Sequence, residues 1–299
     1  MRRALLVAAL IGFPSAAMAQ VKAKPAAKSA VRSAPPSATG AADGGSKGAG
    51  RPPAGPASDV EAGGSHMRVV TANGPVHLFK PPGFDRRTAG VVVYVHGYYT
   101  RIDEAWREHK LADQFVASRR NALFVAPEAP TEQAEEPSWS SLRRLLATAF
   151  KAAKMTAPPG PLVVVGHSGA YRTLARWLDE PALHHLILVD ALYGNERDFA
   201  DWLARDRNNR MTLIVKGTAK WADPFVKKLP YAVTVPQVPT SIYELSREER
   251  NAKLLCVRSQ YGHFELITEG RTLPVVLVRT GLRPVPGVGN ARNRGPRKS

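Results

Sequence analysis

The chain has 299 residues, 44% of them hydrophobic, which suffices for one large folded domain or two small ones. Its formal net charge of +17 is unevenly spread, with +5 in residues 1–65, +7 in residues 66–282 and +5 in residues 283–299. No zinc-ligand spacing, recognition-helix pattern or interleaving of aromatic and basic residues accompanies this charge, which argues against sequence-specific nucleic-acid binding. We expect instead weak electrostatic binding of the basic termini to anionic polymers or lipid surfaces.

The N-terminus has the pattern of a secretory signal peptide. Arg2 and Arg3 precede an apolar run at residues 4–13, and Ala17-Met18-Ala19 supplies the small residues of a cleavage site before Gln20. The apolar run is too short to span a bilayer as a stable anchor. We therefore predict removal of residues 1–19 near Ala19 and a periplasmic or secreted mature protein.

Two segments flank the predicted folded domain. Residues 20–65 and 283–299 are rich in small, proline and basic residues and carry few large apolar side chains. Such segments cannot bury enough surface to offset the entropy of ordering them, so we predict a disordered linker and a disordered basic tail. One folded domain remains at residues 66–282. Its single cysteine, Cys256, excludes an intrachain disulfide framework.

Within this domain, apolar runs alternate with amphipathic segments. Residues 69–71 and 76–79, separated by Asn73-Gly74, predict an opening hairpin. Continuous apolar runs, typical of strands buried on both faces of a mostly parallel sheet, follow at residues 91–95, 122–125, 162–165, 186–189, 211–215 and 254–257. Helical spacing of apolar residues is found at residues 106–116, 142–153, 174–178, 199–203 and 273–281. This alternation predicts an α/β fold with right-handed crossovers and helices on both faces of the sheet.

The most specific local pattern is Gly166-His167-Ser168-Gly169-Ala170, which follows an apolar run and precedes an amphipathic segment. Small residues two positions before and after Ser168 permit a tight strand-to-helix turn that exposes the serine hydroxyl. The helix N-terminus that begins there favours developing negative charge. We interpret Ser168 as a nucleophile, with a plain glycine-rich turn as the alternative.

Two histidines follow strand-like runs elsewhere in the chain. His96 precedes Gly97 and Tyr98, and His263 lies in Gly262-His263-Phe264 after the last run. On its loop, His263 can reach Ser168 and accept its proton, and a surface histidine is the alternative. His96 precedes the nucleophile in the chain, so we interpret it as a structural, hydrogen-bonding residue and not as the base.

On these motifs the chain resembles the α/β-hydrolase superfamily over about residues 68–282. The resemblance implies an α/β-hydrolase fold, with a mostly parallel sheet of about eight strands, and a serine–histidine–acid triad. It also implies an oxyanion hole formed by the backbone N–H groups of Tyr98 and Gly169. Ala170 replaces the second glycine of the commonest form of the motif and is small enough to keep the turn. Neither a cofactor nor a metal is expected.

Two aspartates compete as the acid of the triad. Asp190 follows the run at residues 186–189, at the sheet edge where ligands gather in open α/β sheets. Asp223 follows the next strand, where the acid of the superfamily more often stands, but through a longer connection than usual. We favour Asp190 and keep Asp223 as the alternative. Either residue can instead cap a helix or form a turn.

Together these residues predict an exported serine hydrolase that cleaves an ester, thioester or amide bond through an acyl-enzyme, most simply a carboxylic-ester hydrolase. The main alternative is a catalytically inactive α/β-hydrolase-like protein that binds an envelope component. A polyanion binder acting through the basic tail is the third interpretation. Only about 20 residues separate the strand ending at Val189 from the one starting at Met211, so no large cap domain is expected.

Charged side chains near the predicted site leave two further alternatives open. The loop after the run at residues 122–125 is acidic, and it either favours a cationic substrate group or forms a solvated face. Its carboxylates are Glu128, Glu132, Glu135 and Glu136. Arg172 follows Ser168 by one helical turn and either contacts an anionic substrate or pairs within the protein.

Overall fold

The computed structural model of the protein describes residues 58–286. The predicted signal peptide, most of the predicted linker and most of the basic tail lie outside these residues. The described part is a ten-stranded sheet flanked by helices. The strands are β1 (Asp59–Glu61), β2 (Gly64–Thr71), β3 (Gly74–Lys80), β4 (Gly90–Val95), β5 (Ala122–Pro127), β6 (Leu162–His167), β7 (Leu183–Val189), β8 (Arg210–Val215), β9 (Ala232–Val235) and β10 (Leu254–Arg258). The helices are α1 (Ile102–Glu108), α2 (Leu111–Ala117), α3 (Leu142–Ala152), α4 (Tyr171–Ala175), α5 (Glu196–Arg205), α6 (Ala219–Lys227), α7 (Arg247–Asn251), α8 (Glu265–Thr268) and α9 (Leu273–Val278).

The strands are ordered β1-β2-β3-β5-β4-β6-β7-β8-β10-β9. The pairings from β1 to β5 along this order are antiparallel, and every pairing beyond β5 is parallel. The predicted α/β fold with a mostly parallel sheet is therefore confirmed. The predicted number of about eight strands is too low, because β1 and β9 add one strand at each edge. These two strands have three and four residues, too few for a pattern of alternation to reveal them.

The central strands are buried on both faces, which explains their continuous apolar runs. In β4, Val91, Val93 and Val95 pack into one hydrophobic cluster, whereas Val92 and Tyr94 pack into another. Apolar residues of α3, α4, α5 and α6 complete the first cluster, and those of α1, α2 and α9 complete the second. The helices thus cover both faces of the sheet, as predicted.

Two of the predicted helices are shorter than their apolar patterns indicated. The segment at residues 106–116 is divided into α1 and α2 by Lys110, which has a left-handed backbone with a φ of 48°. Such a conformation interrupts the right-handed helix. The segment after Ser168 starts with a 3₁₀ turn at Ser168–Ala170 and ends with α4, so that Trp177 packs in the core from beyond the helix.

The folded part extends beyond both predicted domain boundaries. At the N-terminal side, β1 and the start of β2 precede residue 66, and the Glu61 carboxylate accepts a hydrogen bond from Trp106 Nε1 at 2.9 Å. At the C-terminal side, Val285 is buried, and its N–H donates to Arg119 O at 3.0 Å. These few specific contacts order short segments whose composition is typical of disorder. The predicted domain boundaries, before residue 66 and after residue 282, therefore move outward at both ends.

The predicted site residues gather at the C-terminal edge of the parallel strands. Ser168 follows β6, Asp190 follows β7 and His263 lies on the loop after β10. Only α5 and short loops connect β7 with β8, so within residues 58–286 no cap domain is inserted at this point. In the same range, none of the helices combines the length and the apolar character that crossing a bilayer requires.

Candidate active site

Ser168 occupies a strained turn between β6 and α4. Its φ of 54° lies in the left-handed region, which a non-glycine residue adopts only where the surrounding structure imposes it. The turn lifts the side chain out of the sheet edge, and Ser168 is partly exposed while its neighbours Gly169 and Ala170 are buried. The hydroxyl is therefore open to a substrate from the solvent side.

A hydrogen-bonded line joins Ser168, His263 and Asp190. The Ser168 hydroxyl donates to His263 Nε2 at 3.0 Å, and His263 Nδ1–H donates to Asp190 Oδ2 at 2.7 Å. This geometry fixes the imidazole tautomer, since the nitrogen that faces the carboxylate carries the proton and the nitrogen that faces Ser168 is free to accept one. The arrangement suits proton removal from a nucleophilic serine.

Asp190 is fully buried, with a φ of 45°. Burial by itself would raise the pKa of its carboxyl, but the hydrogen bond from His263 and those from the loop after β8 outweigh this effect, so the pKa is lowered. The loop donates through the N–H groups of Lys216, Gly217 and Thr218 at 2.9–3.0 Å and through the Thr218 hydroxyl at 2.8 Å. The carboxylate is therefore ionised throughout the neutral pH range.

The alternative acid, Asp223, lies elsewhere. It is on α6, is exposed, and forms an ion pair with Arg258. The chain after β8 thus contributes backbone N–H groups to the carboxylate of Asp190 in place of a carboxylate of its own. Of the two aspartates weighed from the sequence, Asp190 is the one within hydrogen-bond reach of His263.

The backbone around Tyr98 and Gly169 closes tightly over Ser168. A Cβ atom on Gly97 would lie 2.7 Å from Ser168 Cβ, and one on Gly169 would lie 2.5 Å from the Tyr98 ring. Both positions therefore require glycine. Among residues 58–286 the Tyr98 N–H has no acceptor, and the Gly169 N–H lies in the first turn of a helix, where N–H groups have no intrahelical partner. Both predicted oxyanion donors are thus available.

His96 orients the peptide that carries one of these donors. Its Nδ1–H donates to Gly97 O at 2.7 Å. Its Nε2 accepts from the Ala129 N–H at 3.0 Å and lies 3.1 Å from Glu128 Oε1. Gly97 O and the Tyr98 N–H belong to the same planar peptide and point in opposite directions. A fixed Gly97 carbonyl therefore fixes the Tyr98 N–H, which agrees with the structural interpretation of His96.

Two further side chains, to which the sequence assigned no role, lie beside Ser168, His263 and Asp190. His167 is buried, its Nε2–H donates to the His263 carbonyl at 3.2 Å, and its ring centroid lies 4.5 Å from that of His263. Burial, aided by His263, lowers the pKa of His167 to about 3, so it is neutral. Tyr193 interacts with Ser168, and burial followed by the charge of Asp190 raises the pKa of its hydroxyl to about 12. In the sequence, the only signal for them is position: His167 immediately precedes Ser168, and Tyr193 follows Asp190 by three residues.

Arg172 holds the acidic loop beside the site. Its guanidinium donates to the backbone carbonyls of Gln133 and Glu135, with the Glu135 bond at 3.0 Å, and lies 3.5 Å from a Glu136 carboxylate oxygen. It also reaches the Tyr98 hydroxyl at 3.5 Å. Of the two interpretations of Arg172, the structure supports pairing within the protein, because its guanidinium has four partners there.

No cluster of three or more metal-ligating side chains is found within the described residues. The site brings together a hydroxyl, an imidazole, a buried carboxylate and two backbone N–H groups. This set can form a covalent acyl intermediate and stabilise the charge that develops on a carbonyl oxygen.

No protein-family model and no curated protein matches the sequence. Solved structures do match. The S-formylglutathione hydrolase of Agrobacterium tumefaciens is 13% identical, with 72% of this chain and 95% of that chain covered and a TM-score of 0.43. A feruloyl esterase module of Clostridium thermocellum is 11% identical, with coverages of 70% and 86% and a TM-score of 0.46. The fluorophosphonate-binding serine hydrolase FphF of Staphylococcus aureus is 10% identical, with coverages of 76% and 100% and a TM-score of 0.47. The names of all three describe a hydrolase or an esterase.

Proposed function

We propose that the protein is an exported serine hydrolase that cleaves carboxylic esters. Ser168 is the nucleophile, His263 the general base and acid, and Asp190 the group that orients His263. The observation that carries the proposal is the continuous line of hydrogen bonds, 3.0 Å from Ser168 to His263 and 2.7 Å from His263 to Asp190. A strained serine, a buried ionised carboxylate and two free N–H groups on one sheet edge support it further.

The reaction runs in two halves. His263 Nε2 takes the Ser168 proton while Oγ attacks the ester carbonyl carbon, and the N–H groups of Tyr98 and Gly169 bind the resulting oxyanion. The imidazolium then protonates the leaving oxygen, the carbon–oxygen bond breaks, and the acyl group stays on Ser168. Water, deprotonated by His263, attacks the acyl-enzyme, and the carboxylic acid leaves with Ser168 regenerated.

Hydrolysis of p-nitrophenyl acetate by the purified mature protein tests this proposal. The Ser168→Ala variant should lose at least about a thousandfold in kcat and should no longer react with a fluorophosphonate probe. Ser140→Ala, an exposed serine before α3, is the matched control and should keep both activities. A folded Ser168→Ala variant that retains labelling and turnover would remove Ser168 as nucleophile. A wild-type protein that turns over no ester, thioester or amide would favour the inactive binding protein instead.

Export is the second part of the proposal. The signal pattern ending at Ala17-Met18-Ala19 supports cleavage after Ala19 and a periplasmic or secreted enzyme. Intact-mass measurement of the protein from an envelope or medium fraction should give a mature N-terminus at Gln20. Recovery of the full-length chain from the cytoplasm alone would contradict export and leave the hydrolase proposal standing.

A further inference from the structure

A groove with a largely apolar lining lies between α5 and α6. Its volume is about 570 Å³. Volumes of about 300–1,000 Å³ are typical of pockets that bind small organic ligands, and an acetyl group would fill only a small part of it. Five of its eight lining residues are apolar: Ala200 on α5, Trp221, Pro224 and Phe225 on α6, and Leu229 just beyond α6. The other three, Glu196 and Arg197 on α5 and Lys228 just after α6, are charged.

Aromatic side chains connect this groove with Ser168. The Trp221 ring packs edge-to-face against Tyr193, with centroids 5.0 Å apart, and Tyr193 interacts with Ser168. A Cβ atom on Gly217 would lie 3.2 Å from Asp190 Oδ2 and 3.7 Å from the Tyr193 hydroxyl, so this hydroxyl lies at the site itself. Tyr193 and Trp221 therefore connect the site with the groove.

The two ends of an ester must lie on different sides of the site. The acyl group becomes bonded to Ser168, with which Tyr193 interacts, whereas the leaving oxygen must approach His263 to be protonated. Beside His263 lies Phe264, which is 66% exposed, with its ring centroid 5.2 Å from that of His263. The groove is linked to Ser168 through Tyr193 and Trp221, whereas the exposed Phe264 lies beside His263.

We propose that the groove between α5 and α6 binds the acyl chain, so that the enzyme prefers esters of medium-length or longer apolar acids over acetate esters. The inference rests on the proposed function, since it assumes that Ser168 forms an acyl-enzyme. Each methylene buried in the groove should raise kcat/KM by up to about fourfold, until the groove is filled. The open leaving-group side places no comparable limit on the alcohol.

The probes are p-nitrophenyl acetate and p-nitrophenyl octanoate, and the measured quantity is the ratio of kcat/KM for octanoate to that for acetate. This ratio should exceed about ten in the wild type. Ala200→Trp places an indole in the groove and should lower the ratio at least about tenfold. Ala204→Trp adds the same side chain to an exposed position on α5 outside the groove and should leave the ratio at the wild-type value.

Thermal unfolding shows whether both variants are folded. If Ala200→Trp is not folded, Leu229→Lys, just beyond the end of α6, takes its place in the test. A wild type that hydrolyses acetate as well as octanoate, or an equal ratio in Ala200→Trp and Ala204→Trp, would overturn the groove assignment. Neither result would affect the proposed triad. A wild type inactive on both esters would overturn the proposed function together with this inference.

Discussion

The Asp190 carboxylate accepts four hydrogen bonds from the loop after β8 in addition to the one from His263. The loop therefore holds the carboxylate rigidly at 2.7 Å from His263 Nδ1. Asp190→Asn replaces the carboxylate oxygen that faces His263 with an NH₂ group, which cannot accept the hydrogen bond from His263 Nδ1–H. The tautomer with the proton on Nε2, which cannot take the Ser168 proton, is then favoured. We expect kcat to fall by about four orders of magnitude, with a much smaller change in KM, in hydrolysis of p-nitrophenyl acetate.

The matched control is Asp223→Asn, which removes an exposed carboxylate paired with Arg258. It should leave kcat within about twofold of the wild type, because exposed ion pairs contribute little. If Asp223→Asn lost activity and Asp190→Asn kept it, the assignment of the acid would be reversed.

His167 holds the loop that carries His263 through a hydrogen bond. Its Nε2–H bond to the His263 carbonyl, at 3.2 Å, ties the loop after β10 to the end of β6. His167→Phe keeps a ring of similar shape and removes the donor, which corresponds to a net loss of about 1 kcal/mol from one hydrogen bond. We expect kcat for p-nitrophenyl acetate to fall about five- to tenfold, with KM nearly unchanged. His184→Phe, at an exposed position on β7, is the control; an equal effect of both variants would speak against positioning of His263 by His167.

At the scale of elements, a stack of three rings joins the β2–β3 hairpin to α1. The centroids of His66 and His77 both lie 4.6 Å from that of Trp106. His77 Nε2 lies 2.8 Å from Asp103, which also pairs with Arg68. Burial, despite the hydrogen bond to Asp103, lowers the pKa of His77 to about 4. The folded protein therefore holds His77 neutral at pH values where the unfolded chain protonates it.

The free energy of unfolding should consequently depend on pH. Between the unfolded pKa of about 6.5 and the folded pKa of about 4, the unfolded state binds more protons, so stability is lost as the pH falls. The loss is at most about 1.4 kcal/mol per pH unit from His77 alone. Urea unfolding at pH 6.5, 5.5 and 4.5 should show this slope, and His77→Gln should reduce it. The slope should not vanish, because burial also lowers the pKa of His66 and His167. An unchanged slope in His77→Gln would contradict the account.

The strands that the sequence predicts best are those buried on both faces, since residues 91–95 of β4 and residues 162–165 of β6 are uninterrupted apolar runs. Apolar patterns do not predict the end of α1 before Lys110 or the edge strand β1. Both depend on contacts between residues distant in sequence, such as Glu61 with Trp106. The same holds in the site. A local motif is sufficient to propose Ser168, but the choice between Asp190 and Asp223 depends on which carboxylate the loop after β8 surrounds, and the groove depends on how α5 and α6 pack.

At the scale of the whole molecule, the C-terminal sheet edge carries the site and is left open by the short connection between β7 and β8. Of the net charge of +17, +5 lies in residues 1–65 and +5 in residues 283–299. Residues 287–299 contribute +4 to the net charge of +17 and contain no acidic residue. Residues 283–286 are different, since Val285 packs against the domain through its bond to Arg119. A deletion that is meant to remove charge without disturbing the fold should therefore begin at residue 287.

Deletion of residues 287–299 should weaken salt-sensitive binding to heparin and leave ester hydrolysis and thermal stability unchanged. Attraction between a basic tail and a polyanion is long-ranged and screened by salt, with a Debye length of about 8 Å at physiological ionic strength. The truncated protein should thus elute from immobilised heparin at a lower salt concentration than the full mature chain. A full-length variant with Arg292, Arg294, Arg297 and Lys298 replaced by Gln separates charge from length, and it should elute with the truncated protein. Elution of either variant at the wild-type salt concentration would show that the tail is not the polyanion-binding segment. A parallel loss of p-nitrophenyl acetate hydrolysis would show instead that the tail acts on the site.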